Sequence, residues 1–277
     1  MRLTRFYFGR LNIVAEFSNK RQFIEHALRT TRLLNHRGFL WGFFDVAPLQ
    51  SDHEFFTGQL AALRPEQPEE VGDLDRHALT FTNVANRLIA KSRFFLHVET
   101  GLIAYQFVSS HISSEIFCER FPRLFEEAHD NLFVSADIQY IKDRYSFLER
   151  LNALTEVYDV EFTLHPTNPG YSELYRLVDE RLKRLNARQY REQLHAERAQ
   201  GGLRIADDAD VKAKAAMAED GYGEATATGL ERGNVTKITT RENPIAADAA
   251  IKDKEPEDIF AQLSTVFGRI FERLTRE

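Results

Sequence analysis

Four polar side chains near residue 160 have the types and the spacing to do chemistry. Asp159, Glu161, Thr163 and His165 alternate along the chain, so in a β-strand they would project from one face. Two carboxylates and an imidazole on one face could bind a divalent metal ion or transfer protons. Asp159, Glu161 and His165 are therefore candidate catalytic residues of a metal-dependent nuclease. The spacing matches no nuclease or metalloprotease motif, and the same alternation is typical of the solvent face of a half-covered strand.

The segment that follows could bind an anion. Residues 165–172 read His-Pro-Thr-Asn-Pro-Gly-Tyr-Ser and precede a predicted helix, whose N-terminal N–H groups and dipole would favour a phosphate. Asn168 and Ser172 could add hydrogen bonds. Pro166 and Pro169 remove two backbone donors, however, and Pro, Asn and Gly are the usual residues of a turn. We therefore expect a structural turn here.

A cluster of basic residues lies in the next stretch, which predicts a long helix beginning near Ser172. Four of them are close together in helical projection: Lys183, Arg184, Arg188 and Arg191. With Tyr190 as a stacking group, such a stripe could follow the phosphate backbone of DNA or RNA. The alternative is a solvated helix with acidic residues early and basic residues late, as the helix dipole favours.

The C-terminal segment predicts an amphipathic helix that begins at Pro256, because proline is tolerated in the first turn of a helix. Its apolar side chains form a broad stripe: Ile259, Leu263, Val266, Phe267, Ile270, Phe271 and Leu274. Such a stripe is typical of core packing. It could also dock a protein partner or a second copy of the chain.

Several common catalytic motifs are absent from the sequence. It contains no Gly-x-Gly-x-x-Gly, Walker loop, Gly-x-Ser-x-Gly or His-Glu-x-x-His segment, which argues against a common nucleotide-dependent enzyme or hydrolase. His97, His111 and His129 have no metal-ligand spacing. The single cysteine, Cys118, excludes an intrachain disulfide and a cysteine-based zinc site. We therefore expect no metal site and no cofactor, except a divalent metal ion if the nuclease alternative holds.

The candidate residues depend on a framework whose clearest part is residues 93–108. Two apolar strands joined at Thr100-Gly101 predict a hairpin, because glycine can adopt the positive φ of a two-residue turn. In that register three pairs face each other and share one side of the sheet: Val98 with Ile103, Leu96 with Tyr105, and Phe94 with Phe107. The other side of the hairpin is more polar and could form an open binding surface.

The rest of the chain mixes strands and helices without a regular βαβ order. Strands are predicted at 5–16, 39–46, 55–63, 131–141 and 157–164, with a hairpin at 222–240. Helices are predicted at 18–34, 113–128, 143–154 and 207–219. We expect Pro122 to kink or divide the second helix, residues 64–78 to form an exposed acidic loop, and residues 79–92 to be irregular before a short strand.

This order predicts an α+β fold, with a mainly antiparallel sheet, packed helices, a long helix after the central sheet and the C-terminal amphipathic helix. We expect a sheet domain at 1–165 and a helical region with a β-hairpin at 166–277, although the two could form one continuous domain. The 22 phenylalanines among 277 residues indicate a large aromatic core.

Charge and hydropathy limit the partners. The net charge is −6, so no global positive field attracts nucleic acid, and any such contact needs a local patch. No apolar run has the length of a membrane span, and charged residues interrupt the N-terminal segment, unlike a signal peptide. We therefore expect a cytoplasmic protein that does not contact a membrane.

Residues 93–108, 164–171 and 221–234 resemble segments of an uncharacterised bacterial protein family of similar length. The resemblance covers most of the chain and rests on turns and strand patterns. Such proteins are associated with gene neighbourhoods for defence against phage and plasmids. The resemblance therefore implies a defence context, and it assigns no residue a role.

From the sequence we expect a non-catalytic component of a bacterial defence module that binds DNA, RNA or a partner protein. Three features favour this function: local basic charge on an acidic chain, an apolar C-terminal helix and the lack of a catalytic motif. One alternative is a metal-dependent nuclease that uses the strand at 159–165. The other is a structural subunit that self-associates through the C-terminal helix.

Overall fold

A computed structural model of the chain describes residues 3–15, 19–30, 32–130, 134–142, 146–167, 172–196, 201–205, 207–242 and 244–275. Within these ranges the chain forms fourteen strands and six helices, which confirms the predicted α+β fold. No helix in these ranges is long and apolar enough to cross a membrane. Asn168 and Pro169 of the predicted turn lie outside the described residues.

The elements have the following bounds. The strands are β1 (Leu3–Val14), β2 (Leu34–His36), β3 (Phe39–Pro48), β4 (Phe55–Arg64), β5 (Gln67–Asp73), β6 (Ala78–Val84), β7 (Arg87–His97), β8 (Leu102–Gln106), β9 (Ser135–Tyr140), β10 (Glu156–Leu164), β11 (Tyr190–His195), β12 (Gly223–Glu231), β13 (Asn234–Thr239) and β14 (Ala246–Ala250). The helices are α1 (Lys20–Thr30), α2 (Ser114–Ala128), α3 (Ser146–Ala153), α4 (Arg176–Arg184), α5 (Ala209–Glu219) and α6 (Pro256–Thr275), with a 3₁₀ turn at Glu173–Tyr175 before α4.

In the described part of the chain, eight antiparallel strands form the first sheet. Their order is β14-β1-β8-β7-β4-β3-β2, and β9 pairs with the second half of β1. Helices cover both faces of this sheet, and the side chains of β1 alternate between the two apolar cores that result. Phe6 and Phe8 pack toward α6, whereas Leu11 and Ile13 pack toward α1 and α2. A sheet covered in this way has apolar strands on both faces.

The apolar stripe of α6 is covered by the chain's own first sheet. Ile259, Leu263 and Ile270 are buried there. The ring of Phe55 makes edge contacts with Phe260 and Phe267, at 4.7 and 4.9 Å between ring centroids. The stripe that suggested partner docking therefore contributes to the core of this chain.

The central hairpin has a different register from the predicted one. Leu96 lies opposite Ile103, and Phe94 opposite Tyr105, a shift of two residues from the predicted pairing. The loop is longer than two residues, because the N–H of Gly101 bonds to the carbonyl of the last β7 residue at 3.0 Å. A shift of two residues in register keeps each side chain on the same face of the sheet, so the predicted apolar face is retained.

The opposite side of this hairpin is not open, so that prediction is wrong. Phe95, Leu102 and Ala104 belong to the core beneath α6. His97 is also buried on this side, and its ring lies 4.8 Å from the ring of Phe271. A hairpin near the middle of a sheet with two covered faces offers no free face for a ligand.

A second, four-stranded sheet has the order β11-β10-β12-β13 among the described residues. Its inner face packs against α3, α4 and α5, with Val160, Phe162 and Leu164 buried there as predicted. The predicted hairpin of β12 and β13 is also present. Arg232 and Gly233 at its turn have φ values of 50° and 84°, and two consecutive positive φ values are typical of a tight type I′ turn.

Three other expectations differ from the structure. The predicted acidic loop at 64–78 belongs largely to an exposed hairpin of β5 and β6, and residues 79–92 are mostly strand. Helix α2 is one helix that contains Pro122, so it is not divided. The predicted division at residue 165 stays a prediction. Strand pairs cross it, since β10 pairs with β12 and β1 pairs with β14.

Candidate nucleic-acid interface

The basic residues predicted to share one long helix lie on three different elements. Helix α4 ends at Arg184, and Asn186 follows with a φ of 49°. The N–H of Asn186 bonds to the carbonyl of Lys183 at 3.0 Å, and the N–H of Ala187 bonds to that of Leu182 at 2.9 Å. This pair of bonds, with asparagine in the left-handed position, terminates a helix. The predicted single stripe is therefore wrong.

A buried carboxylate holds Lys183 in place. Its Nζ lies 2.7 Å from Oδ2 of Asp179 and 2.9 Å from Oγ1 of Thr167. Asp179 is fully buried, and it accepts the N–H and the O–H of Thr167, both at 2.7 Å. A buried charge requires such partners. The network therefore keeps Asp179 satisfied while leaving 43% of the Lys183 side chain exposed.

Lys183 and Arg188 line one cleft of about 930 Å³. Asn186 and Ala187 from the loop after α4 also line it. Other lining residues come from the end of β1, from α1 and from the residue that follows α2. The structure thus brings together two of the four predicted nucleic-acid-binding residues, even though they do not share a helix.

The lining of the cleft also includes an aromatic pair. The rings of Phe23 and His129 are stacked, with 3.8 Å between centroids and an interplanar angle of 5°. Burial, together with the nearby His26, lowers the pKa of His129, so its ring is uncharged at neutral pH. Its Nε2 is buried and forms no hydrogen bond with the described part of the chain. The cleft therefore has a neutral, flat aromatic wall.

This combination of groups suits a ligand with a planar ring and a negative charge. Aromatic side chains stack on nucleobases whatever their identity, and Lys or Arg side chains neutralise the phosphates beside them. Val14, Ala15, Val134 and Pro166 add apolar surface to the same cleft. The cleft thus offers an unpaired nucleotide both an aromatic surface and cationic groups.

The other two predicted nucleic-acid-binding residues lie outside this cleft. Arg191 is on β11, and its Nε lies 3.4 Å from Oε1 of Glu161. Arg184 is exposed on α4, one residue and thus about 100° round the helix from Lys183. The four basic residues therefore do not form one continuous surface.

Two of the candidate catalytic residues, Asp159 and Glu161, lie where the sequence predicts, on the outer face of β10. Asp159 and Glu161 are partly exposed, and each carboxylate has a partner across the sheet. Asp159 contacts Nδ1 of His195, and Glu161 contacts Arg191. His165 lies beyond the strand, with its Nδ1 3.2 Å from the carbonyl oxygen of Arg188.

These contacts are typical of polar side chains paired across neighbouring strands. Among the described residues, no group of three or more His, Cys, Asp or Glu side chains is placed to hold a metal ion. Asp159, Glu161 and His165 are therefore not gathered into a metal site. The nuclease alternative stays a prediction, and the geometry supports the cleft more strongly.

Comparison with known proteins identifies the family. Residues 4–267 match a family model described as "Domain of unknown function (DUF4747)", so most of the chain is covered. The chain belongs to the DUF4747 family. No curated protein matches the sequence. The DUF4747 range includes both sheets and every residue of the cleft.

The sequence indicates the cations of the cleft but not its aromatic pair. Lys183 and Arg188 belong to a visible basic cluster. His129 has no metal-ligand spacing, although Phe125 four residues earlier lies on the same side of a helix and packs in the core with Phe23. Phe23 is far away in sequence, and no local pattern links it to His129.

Proposed function

We propose that this DUF4747 protein is a non-catalytic component of a bacterial defence module that binds single-stranded nucleic acid in the cytoplasm. One observation carries the proposal: the stacked rings of Phe23 and His129 and the cations of Lys183 and Arg188 line the same cleft. The defence setting is supported by the sequence resemblance alone.

A single strand fits the cleft better than a duplex does. A base must leave its stack before it can lie against an aromatic side chain, and unpaired bases do so most readily. The cations line the same cleft, where they can contact the phosphates. Because such contacts do not read sequence, we expect binding with little sequence preference.

The charge of the whole chain makes binding depend on salt. The net charge of −6 repels a polyanion, so attraction must come from the local cations. Neutralising a phosphate releases counterions, and affinity falls as salt concentration rises. We therefore expect measurable binding at low ionic strength and a steep decline with added salt.

Fluorescence anisotropy with a labelled single-stranded oligonucleotide of mixed sequence tests the proposal, with DNA and RNA measured in parallel. Arg188→Ala removes an exposed cation from the cleft, and His129→Ala removes one ring of the wall. Loss of a stacking group costs about 1–3 kcal/mol of binding free energy. Both variants should therefore bind several-fold more weakly than the unchanged protein.

Arg191→Ala is the charge-matched control, because Arg191 is basic and exposed but lies outside the cleft. It should bind almost as well as the unchanged chain. Thermal unfolding of each variant shows whether the fold is intact. The proposal fails if no oligonucleotide is retained at low salt, or if Arg191→Ala weakens binding as much as Arg188→Ala does.

A further inference from the structure

The hairpin formed by β5 and β6, residues 67–84, is an exposed arm. Leu74, Leu79 and Phe81 are exposed by 84, 70 and 72%, which is unusual for large apolar side chains so close together. The arm pairs only within itself among the described strands, and a two-stranded hairpin alone is marginally stable in water. The arm therefore presents apolar surface that a partner could cover.

One face of the arm is both apolar and acidic. Glu70 lies directly opposite Phe81, and Gly72 lies opposite Leu79. Facing residues share one side of a hairpin, so Glu70, Leu79 and Phe81 project together. Glu70 is exposed and forms no ion pair with a described residue. Glu69, on the other face, is already paired with Arg87 at 2.9 Å.

A second uncovered surface of the chain has the complementary character. The outer face of α4 and of the turns that flank it is apolar and basic. Five exposed residues follow helical spacing on this face: Leu174, Leu177, Arg181, Arg184 and Leu185. Arg184 forms no ion pair with a described residue. We call these five residues the outer α4 face.

A groove beside the outer α4 face has room for an aromatic ring. Its volume is about 210 Å³, and its lining combines apolar and aromatic groups with an ion pair: Leu177, Val178, Arg181, Leu182, Tyr190, Asp210 and Lys214. A dry cavity of about 150 Å³ holds benzene, so the ring of Phe81 fits. The groove therefore has room for the ring of Phe81, and the charges of the arm and of the outer α4 face are complementary.

We propose that this chain self-associates by docking the arm of one copy on the outer α4 face of the next copy. Phe81 enters the groove beside Leu177, and Glu70 pairs with Arg181 and Arg184. The two surfaces are both exposed in the same chain, so each is available to another copy. Because the two patches differ, the contact is head-to-tail, and it produces closed rings or open chains of copies.

This interface differs from the one predicted from the sequence, since α6 has no part in it. It is also independent of the nucleic-acid cleft. Lys183 and Arg188 line the cleft, whereas Arg184 belongs to the outer α4 face. Loss of self-association would leave the cleft intact, and loss of nucleic-acid binding would leave the arm intact.

Sedimentation velocity of the full chain, over a range of protein concentrations, tests the proposal. The unchanged chain should show masses above the monomer mass of 32.0 kDa, rising with concentration. Phe81→Ser should raise the dissociation constant at least about tenfold, as the loss of an aromatic anchor does. Val235→Ser, which changes an exposed apolar residue on the other hairpin, is the matched control and should have no effect.

Variants with reversed charges distinguish this specific contact from nonspecific association. Glu70→Arg and Arg184→Glu should each weaken self-association, because each places like charges across the contact. An equimolar mixture of the two variants should associate again, since either partner then offers a complementary pair. The proposal is overturned if the unchanged chain stays at 32.0 kDa at every concentration. It is also overturned if the two variants associate no more tightly when mixed than each does alone.

Discussion

Arg273 in α6 and Asp220 just after α5 form a buried ion pair, with Nη2 of Arg273 2.5 Å from Oδ1 of Asp220. The two side chains are only 10 and 8% exposed. The other carboxylate oxygen of Asp220 accepts the O–H of Tyr175 at 3.0 Å. Arg10 of β1 donates from its Nε to the carbonyl of Asp220 at 2.8 Å. This pair therefore joins the helix that covers the first sheet to a segment packed beneath the second.

Asp220→Ala should destabilise the chain strongly. It leaves the guanidinium of Arg273 buried without its counterion, and breaking a buried pair in this way costs about 3–5 kcal/mol. Urea denaturation measures the change in the free energy of unfolding. Asp248→Ala is the control, because its ion pair with Arg5 is exposed and contributes at most about 1 kcal/mol. Equal losses in the two variants would show that the buried pair has no special role.

Lys142, which follows β9, should make stability depend on pH. It is fully buried, and burial lowers its pKa to about 7, opposed mainly by Glu242 and then by Glu219 and Glu224. In the unfolded chain its pKa is about 10.5. At a pH between these two pKa values the unfolded state binds more protons than the folded state does, so stability rises with pH. Below about pH 7 both states are protonated, and the full penalty for the buried charge is present.

Lys142→Met isolates this effect. Relative to the variant, the unchanged chain should become more stable as pH rises from about 7 to about 10, and the difference should be constant below that range. Urea midpoints of both proteins across the range give the comparison. Groups that titrate in both chains cancel in the difference. A difference that is flat with pH would mean that Lys142 keeps an ordinary pKa in the folded chain.

Strong periodic patterns in the sequence predicted most of the fold. The alternation around Val160 and the apolar spacing along α6 each have one consistent interpretation, since the period of the side chains reveals the element. The prediction of helix beyond Arg184 is wrong, because the basic residues there suit a helix as well as a loop or a strand. Asn186, which tolerates the left-handed conformation that ends a helix, was the local signal for the true boundary.

Long-range contacts explain what the sequence could not predict. The cleft needs Phe23 beside His129 and both near Lys183 in one lining, and these residues meet only through the packing of separate elements. The arm was read as a loop because Pro68 and its acidic neighbours disfavour strands. Cross-strand pairing overcame that preference, as tertiary context often does for strand propensity.

The carboxylates of β10 allow a direct test of the nuclease alternative. We expect no cleavage of labelled nucleic acid by the chain in the presence of magnesium or manganese, because Asp159 and Glu161 are already paired with His195 and Arg191. Gel analysis of DNA and RNA after incubation gives the answer. Cleavage that Asp159→Ala abolishes would establish the nuclease instead, and cleavage unchanged by that variant would indicate a contaminating enzyme.

Lys183→Met and Arg188→Met should separate binding from stability. Both variants remove a cation from the cleft, so each should weaken oligonucleotide binding and lower the salt dependence by about one unit of slope per lost phosphate contact. Only Lys183→Met removes the cation that is paired with the buried Asp179. It should therefore also cost about 1–3 kcal/mol of stability, whereas the exposed Arg188 should change stability by about 0.5 kcal/mol or less.

The double variant Lys183→Met/Asp179→Asn completes this test. Removing the buried charge together with its counterion should restore part of the stability lost in Lys183→Met, because no unpaired ion is left in the interior. Binding should stay weak, since the cation that contacts the ligand is still missing. Anisotropy titrations measure binding and urea denaturation measures stability, each on the unchanged chain, the two single variants and the double variant. If binding recovered together with stability, Lys183 would act only by holding the cleft in shape, and the direct contact with phosphate would be wrong.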